Sequence, residues 1–366
     1  MKSSKICSIE NVRDILLDKH ELVSDSLSLV IGKFSLDIYS NSQRLLDRLE
    51  SYFSNIVTQS SQTSIEIIAI ESDAVELNLN FIDWPREQGK TGRKDSYIDL
   101  DDGRVLRKVR TGMIFLQSRT LRMAAGPCLA NENQIVNFIN SQYMTWLQQN
   151  GWLICHAAGL VYKDTAYAFA GFSGGGKSTL MLHLLNHENT AYLTNDRLFI
   201  KSEKGHISAA GIPKLPRINP GTIVHNPRLH GLITEQQRQA FLAMPAEKLW
   251  DLEDKYDVFI DKIYGANRIL AQAPLGALII LNWQRDSESD LIVEKVELAT
   301  RLDLLDAVMK SPGPFYQYPD GAFYSNTTAL PTQRYLDALK NIDVYEVKGQ
   351  VDFDKLNCYC QENIFG

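Results

Sequence analysis

Apolar and polar positions alternate along the first third of the chain and predict a small layer of helices and strands. Residues 9–17 have the spacing of a first helix, and residues 28–39 alternate in part, which indicates a β-hairpin. Ser42 then begins an apolar stripe at helical spacing, and residues 65–70 have the pattern of a further strand. We therefore expect an N-terminal α+β domain over residues 1–130, with no recognisable catalytic cluster.

The pattern changes over the rest of the chain, where apolar strands alternate with helices. Residues 134–149 carry a wide apolar helical stripe, and residues 165–170 form a buried strand pattern. Residues 277–281 are fully apolar and predict a central strand, and residues 300–309 predict a helix. The fold class is therefore α/β, or α+β overall, with residues 131–366 forming a second domain that ends in a C-terminal extension.

Composition restricts the class of protein and of partner. The chain has 366 residues, of which 44% are hydrophobic and 22% are charged, and these values are ordinary for a soluble protein. Its formal net charge is -6, and it has no basic stripe with interleaved aromatic residues, so a nucleic acid is not an expected partner.

The expected location is the cytoplasm. The first ten residues lack the pattern of a signal peptide, and no apolar run approaches the roughly 20 residues that a membrane helix needs. The five cysteines are odd in number and scattered, which is typical of a reducing compartment. We therefore expect neither a membrane partner nor a disulfide framework.

One stretch carries recognisable chemistry, because residues 171–179 satisfy the pattern G-x-x-x-x-G-K-[ST] between a strand and a helix. Glycines let a backbone wrap phosphates closely, so that its N–H groups point inward. The lysine of such a loop reaches the β- and γ-phosphates, and the hydroxyl after it binds Mg²⁺. A chance glycine-rich surface loop is the alternative, which the order of strand, loop and helix disfavours. The predicted nucleotide-binding residues are Gly171, Ser173, Gly174, Gly175, Gly176, Lys177, Ser178 and Thr179.

Three charged or titratable residues are candidates for the chemistry beside this loop. Asp196 follows an apolar strand after the loop helix, so it is expected to hold Mg²⁺ together with Ser178, unless it merely caps a turn. His156 ends an earlier strand, where it either supports a carboxylate or is structural. Arg217 lies with Lys214 on a loop rich in proline, and either clamps the transferring phosphate or is a solvated charge.

These residues carry a family resemblance. The order and spacing of His156, the glycine loop and Asn195-Asp196 resemble the HPr kinase/phosphorylase family. Residues 216–221 and 249–257 are most similar to the HprK-related kinase B group. The resemblance implies the nucleotide domain shared with phosphoenolpyruvate carboxykinase, which has a mixed sheet. It also implies that His156 assists the catalytic acid and that the chain forms a homo-oligomer.

The resemblance fails at one position. The family has two adjacent aspartates after the loop helix, of which one holds Mg²⁺ and the other acts on the acceptor hydroxyl. This chain has Asn195 before Asp196, and an asparagine side chain does not accept a proton at neutral pH. The candidate catalytic residues are therefore Asp196, His156, Asn195 and Arg217, with Asp196 serving both roles or the chemistry differing.

The sequence as a whole predicts an ATP-dependent kinase of the P-loop type. It would use ATP and Mg²⁺ to transfer the γ-phosphoryl group to a hydroxyl of a protein serine or of a small serine-like acceptor. A P-loop ATPase that drives a switch is one alternative. A nucleotide-sensing regulatory module without catalysis is another, which Asn195 keeps open. A GTPase is disfavoured because the guanine-reading motif N-K-x-D is missing from the sequence.

Overall fold

The protein forms two compact units. The computed structural model describes residues 8–57, 65–86, 92–172 and 174–365. The first unit runs to Asn150 and also includes Ser311–Ala329, and the second contains Gly151–Lys310 and the chain from Leu330 onward. Both units mix helices with strands, so the α/β prediction is confirmed at that level.

The first unit is built on one mixed sheet and three helices. Within the described residues its strands follow the spatial order β1-β2-β3-β8-β7-β6-β5-β4, with β3 parallel to both of its neighbours. The strands are β1 (Ser26–Ile31), β2 (Phe34–Ser40), β3 (Ile65–Glu71), β4 (Ile82–Asp83), β5 (Asp95–Leu100), β6 (Gly103–Lys108), β7 (Ile114–Ser118) and β8 (Arg122–Gly126). The helices are α1 (Ile9–Leu17), α2 (Gln43–Tyr52) and α3 (Glu132–Gln149).

The local predictions for this unit are confirmed. Helix α1 has the predicted bounds and buries its apolar face. Strands β1 and β2 form the predicted hairpin, with Ile31 paired to Phe34 around the turn. Ser42 caps helix α2, because its side chain accepts a hydrogen bond from the backbone N–H of Leu45.

Helix α3 packs within the first unit, which therefore extends beyond the division expected after residue 130. The Phe138 ring on this helix lies 5.0 Å from the Phe115 ring and 5.2 Å from the Phe315 ring, measured between centroids. Phe315 belongs to the segment Ser311–Ala329, which returns to this unit from far along the chain. The division expected after residue 130 therefore falls inside the first unit, because an apolar helix goes wherever its stripe is buried and not where the composition changes.

The second unit is built on a bent mixed sheet. The main path is β12-β10-β11-β17-β14-β13-β9, and β19 pairs with β17 and β18. Its strands are β9 (Leu153–Cys155), β10 (Ala157–Tyr162), β11 (Thr165–Gly171), β12 (Thr190–Thr194), β13 (Leu198–Glu203), β14 (His206–Ala210), β17 (Gln272–Leu281), β18 (Ile292–Lys295) and β19 (Asp343–Lys348), with β15 (Arg217–Ile218) and β16 (Tyr256–Asp257) forming a separate pair. Strand β11 is parallel to β17 and antiparallel to β10.

Helices cover both faces of this sheet. They are α4 (Lys177–Leu184), α5 (Pro220–Val224), α6 (Glu235–Leu242), α7 (Ala246–Asp251), α8 (Ile260–Ile263), α9 (Leu302–Asp306), α10 (Thr332–Leu339) and α11 (Phe353–Tyr359). Phe169 of β11 packs in one core cluster with residues of α4 and α11, whereas its neighbours Ala168 and Ala170 pack in the other cluster with α9 and α10. This alternation follows from the two-residue period of a strand that is buried on both faces. No helix in the described part of the chain is long and apolar enough to cross a membrane.

Helix α9 is shorter than the predicted helix over residues 300–309. It ends at Asp306, after which Ala307 and Val308 form a turn and Met309 pairs with Cys155 in an isolated bridge. The backbone N–H of His156 also donates to the carbonyl oxygen of Val308, at 2.7 Å. Pairing with the end of β9 therefore overrides the helical pattern here, which carries Lys310 to the edge of the sheet.

Candidate nucleotide site

The glycine loop predicted to bind phosphate, residues 171–177 and called the phosphate loop below, connects β11 to α4 in the order that the sequence predicts. Gly174 and Gly176 have φ angles of +78° and +84°, a region that other residues rarely adopt. The Nζ atom of Lys177 donates to the carbonyl oxygens of Gly171, at 2.8 Å, and Phe172, at 3.2 Å. The loop therefore closes around its own lysine. Ser173, predicted to bind the nucleotide, lies outside the described residues.

Aromatic side chains brace the loop. The indole N–H of Trp283 donates to the carbonyl oxygen of Gly175, at 2.9 Å. The Phe353 ring lies so close to Gly176 that a Cβ there would be 2.5 Å from the ring. The Trp283 and Phe353 rings also contact each other edge to face, with their centroids 5.1 Å apart. Only glycine fits at position 176, on account of both its φ angle and this contact.

The first turn of α4 carries the two predicted hydroxyl groups. Thr179 shares a hydrogen bond with the hydroxyl of Thr222 on α5, at 2.8 Å, so this side chain ties the loop helix to the segment that follows the proline-rich loop, residues 211–216. Ser178, next to Lys177, is partly exposed. The helix begins at Lys177, so its first backbone N–H groups have no partner within the helix.

Sheet register brings His156 next to this loop. Ala157 of β10 pairs with Ala170 of β11, so the preceding residue, His156, lies opposite Gly171, where the phosphate loop begins. On the other side of β10, Gly159 pairs with Thr194 at the end of β12. Two neighbouring segments of the chain thus reach the same edge of the sheet, one carrying His156 and the other carrying Asp196.

The Asp196 turn, Thr194–Arg197, lies where the chain passes from β12 to β13. The hydroxyl of Thr194 donates to the carbonyl oxygen of Arg197, at 3.0 Å, and closes the turn. Beyond the turn, Leu198 pairs with Cys155, so the two segments that form the site also pair with each other as strands β13 and β9. The turn is therefore held from both sides by the sheet, which fixes the position of Asp196.

Asp196 contacts two cationic or hydrogen-bonding side chains. His156 Nε2 lies 3.2 Å from its Oδ1 atom, and Lys310 Nζ lies 4.0 Å from its Oδ2 atom. Burial acts to raise the pKa of Asp196, but the hydrogen bond from His156 and the charges of Lys310 and Arg197 outweigh it and hold the pKa well below its ordinary value. The carboxylate therefore stays ionised, and it is a weak proton acceptor and a suitable cation ligand.

Asn195, beside this carboxylate, has an unused acceptor. Its Oδ1 atom is buried and has no hydrogen-bond partner among the described residues. Leaving such an atom unpaired costs about 1–3 kcal/mol, so an atom of this kind is a natural place for an outside donor to bind. The residue that departs from the family pattern therefore presents a hydrogen-bond acceptor at the site.

Arg217 lies in an ion pair with a carboxylate. Its guanidinium Nε lies 3.0 Å from the Asp257 carboxylate, across the short β15–β16 pair. Lys214, on the same loop, lies against the Asp196 turn instead, in a cavity lined also by Ile212 and Leu215. Of the two cations predicted on this loop, the structure thus brings Lys214 to the turn and pairs Arg217 with a carboxylate.

Two residues of the site escaped the sequence reasoning. Lys310 follows a predicted helix, and nothing near it in the sequence links it to Asp196. Trp283 follows the apolar strand β17, and its hydrogen bond to the loop arises only because β17 pairs with β11. The described residues contain no cluster of three or more His, Cys, Asp or Glu side chains suited to a metal ion.

Comparisons with known proteins add little to this site. No protein-family model matches the chain, and no curated protein matches it. Among solved structures, the chain is similar to the Hpr(Ser) kinase/phosphatase from Coxiella burnetii, with 12% identity and a TM-score of 0.29, over 57% of this chain and 88% of that chain. At that identity and TM-score we draw neither fold nor function from the likeness. The functional assignment therefore depends on the residues of the site itself.

Proposed function

We propose that the second unit is an ATP-dependent phosphotransferase that moves the γ-phosphoryl group to a hydroxyl acceptor. The observations that carry the proposal are a contact and a register: the His156 ring lies 3.2 Å from Asp196, and the next residue, Ala157, pairs with Ala170, directly before the phosphate loop. A phosphate-binding loop and an ionised carboxylate thus meet at one edge of the sheet. Phosphoryl transfer needs these two elements close together.

The phosphate loop fits the polyphosphate of ATP. Its glycines at 174 and 176 adopt φ angles that let backbone N–H groups converge on an anion. Lys177 is held by two carbonyl oxygens of the loop, and it can exchange them for phosphate oxygens without moving away. A phosphate oxygen carries negative charge whereas a backbone carbonyl is neutral, which favours the exchange for the charged lysine.

The residues beside the loop fit Mg²⁺. The Ser178 hydroxyl and the Asp196 carboxylate are oxygen ligands of the type that this ion prefers, and the low pKa of Asp196 keeps its carboxylate ionised. The ion, when bound, would neutralise charge on the phosphate oxygens. His156 is a positioning residue in this proposal, because it holds Asp196 in place through the 3.2 Å contact.

The acceptor hydroxyl would donate a hydrogen bond to Asn195, whose Oδ1 atom has no other partner among the described residues. Asn195 orients the hydroxyl in this role and does not remove its proton. A loose transition state for phosphoryl transfer requires little proton transfer before the bond to phosphorus forms, so the Asp196 carboxylate, although a weak base, suffices to take the hydroxyl proton as ADP leaves. Arg217 would stabilise the transferring group only after leaving its ion pair with Asp257.

A second function is favoured by the same two residues. Asn195 replaces an acid, and Asp196 has a pKa too low for an efficient general base. Both features fit a protein that binds ATP and changes conformation without transferring the phosphoryl group. A switch driven by ATP hydrolysis is intermediate between the two functions.

One experiment distinguishes these functions. The protein is incubated with Mg²⁺ and ATP labelled in the γ-phosphate, in the presence of serine, other small hydroxyl compounds or serine-containing proteins. Label in an acceptor supports the phosphotransferase, and label released as free phosphate supports the hydrolase. ATP that binds but keeps its label supports the sensor, and ATP that does not bind at all contradicts the assignment of the phosphate loop.

A further inference from the structure

A small pocket adjoins the Asp196 turn on the side of the proline-rich loop. It is lined by the four residues of the turn and by Ile212, Lys214 and Leu215. Its cavity volume is about 30 Å³. A cavity needs a volume of about 10–15 Å³ to hold one water molecule. The pocket therefore has room for a group of a few atoms but not for a sugar ring or a peptide.

The backbone that carries Lys214 is held firmly in place. The hydroxyl of the buried Tyr192 donates to the carbonyl oxygen of Lys214, at 2.6 Å. Gly211 lets the loop pass directly against the end of β12, because a Cβ there would collide with the carbonyl oxygen of Leu193. The backbone of Lys214 is therefore fixed beside the pocket that this residue lines.

The pocket has more positive charge than its own carboxylates balance. The charges of Arg197, Arg217 and Lys255 repel that of Lys214, although Arg217 is already paired with Asp257, and the Asp196 carboxylate attracts it. Asp196 is itself shared with His156 and Lys310. Among the described residues, neither Lys214 nor Lys255 has a carboxylate within 4.0 Å. Burial and these neighbours lower the pKa of Lys214 to about 8, which leaves it mostly charged at neutral pH.

We propose that this pocket binds an oxyanion group, a phosphate or a carboxylate, of a small acceptor whose hydroxyl lies at Asn195. The inference rests on the proposed function, from which it takes the role of the bound molecule as phosphoryl acceptor. The substrate class is then a small molecule that carries a hydroxyl group and an anionic group a few bonds apart. The size of the cavity supports one oxyanion group, with the rest of the molecule outside. Electrostatic complementarity supports an anion over a neutral group.

The test measures binding and needs no phosphoryl transfer. Glycerol 3-phosphate and glycerate serve as probes with an anionic group, and glycerol serves as the neutral match. Binding of each is measured by calorimetry at pH 7 to the full chain, to Lys177→Ala, to Lys214→Met, to Lys214→Arg and to Lys340→Met. Lys340 is exposed at the end of α10 and provides the matched control. Circular dichroism and thermal unfolding confirm that each variant is folded.

We expect at least one anionic probe to bind the full chain and both Lys177→Ala and Lys340→Met with equal affinity. We expect Lys214→Met to weaken this binding about tenfold or more, and Lys214→Arg to retain it. Glycerol should not bind.

Binding that survives in Lys214→Met but is lost in Lys177→Ala would place the anion in the phosphate loop and overturn the inference. Affinity weaker than about 10 mM for both anions would also overturn it. If the anion binds as expected but labelled ATP transfers nothing, the pocket stands and the proposed function fails.

Discussion

The phosphate loop and the Asp196 turn reach the same edge of one sheet, but they are built in opposite ways. The loop uses backbone groups of a single stretch, with three glycines at positive φ and one lysine bonded to carbonyl oxygens of the loop. The turn gathers side chains from four segments that carry His156, Asp196, Lys214 and Lys310. The difference separates two tasks: an anion cradle needs a local backbone conformation, whereas a tuned carboxylate needs charges that only tertiary contacts bring together.

The largest expected effect breaks the loop side. In Lys177→Ala, affinity for ATP should fall about 100-fold or more, because charge-assisted hydrogen bonds to phosphate are lost, and phosphoryl transfer should become undetectable. Calorimetric titration with ATP and Mg²⁺ measures the affinity, and Lys340→Ala is the control of equal charge change. Unchanged affinity would mean that the loop does not bind the phosphates.

The next effect isolates the turn side. In Asp196→Asn, the rate of transfer should fall about 1,000-fold, a barrier increase of about 4 kcal/mol, while affinity for ATP without metal changes little. Single-turnover rates with labelled ATP measure this. Asp343→Asn is the control, because Asp343 begins β19 and pairs with Ala277 in the middle of β17, away from Leu281, which pairs with Gly171 at the start of the loop. A normal rate in the Asp196 variant would show that the acid is elsewhere.

A smaller effect tests how the turn is held. In His156→Ala, transfer should slow about 10–100-fold, the usual cost of losing a residue that orients a ligand. The hydrogen bond from His156 lowers the pKa of Asp196, so its loss should raise that pKa and move the acid limb of the pH–rate profile to higher pH. His156→Gln, which keeps a donor, should restore part of both. A slower variant with an unmoved acid limb would point to a purely structural role.

The smallest effect sharpens the contrast in charge. The pKa of Lys214 is lowered to about 8, so above that pH the side chain is neutral. Affinity for glycerol 3-phosphate in the Lys177→Ala background should therefore fall about tenfold as the pH rises from 7 to about 9. A bound anion raises the pKa of Lys214, so the end of this fall lies at pH 9 or slightly above. Lys214→Arg, which stays charged, should give a flat profile. If affinity also stays constant with pH in the protein that keeps Lys214, the anion does not bind to the charged form of this lysine.

Much of the fold follows from local pattern. Helix α1 begins and ends where the sequence predicts, and Ser42 caps α2 as expected, because apolar spacing and capping groups act within one or two turns. The helix predicted to Met309 ends earlier, at Asp306, because the following residues pair with Cys155 and His156. The first unit also extends beyond the division expected after residue 130, since helix α3 buries its apolar stripe in that unit. Both differences come from partners that are distant in the sequence.

The phosphate loop is the part of the site that the sequence determined by itself, because its chemistry is that of consecutive backbone groups and one adjacent lysine. The sequence also supplied His156, Asn195 and Asp196 as candidates, but not their arrangement. The tertiary structure decided that His156 contacts Asp196, that Lys214 lies at the turn while Arg217 pairs with Asp257, and that Lys310 joins them. Electrostatic interactions depend on distance through space, which strand register and loop packing set and which no local pattern in the chain encodes.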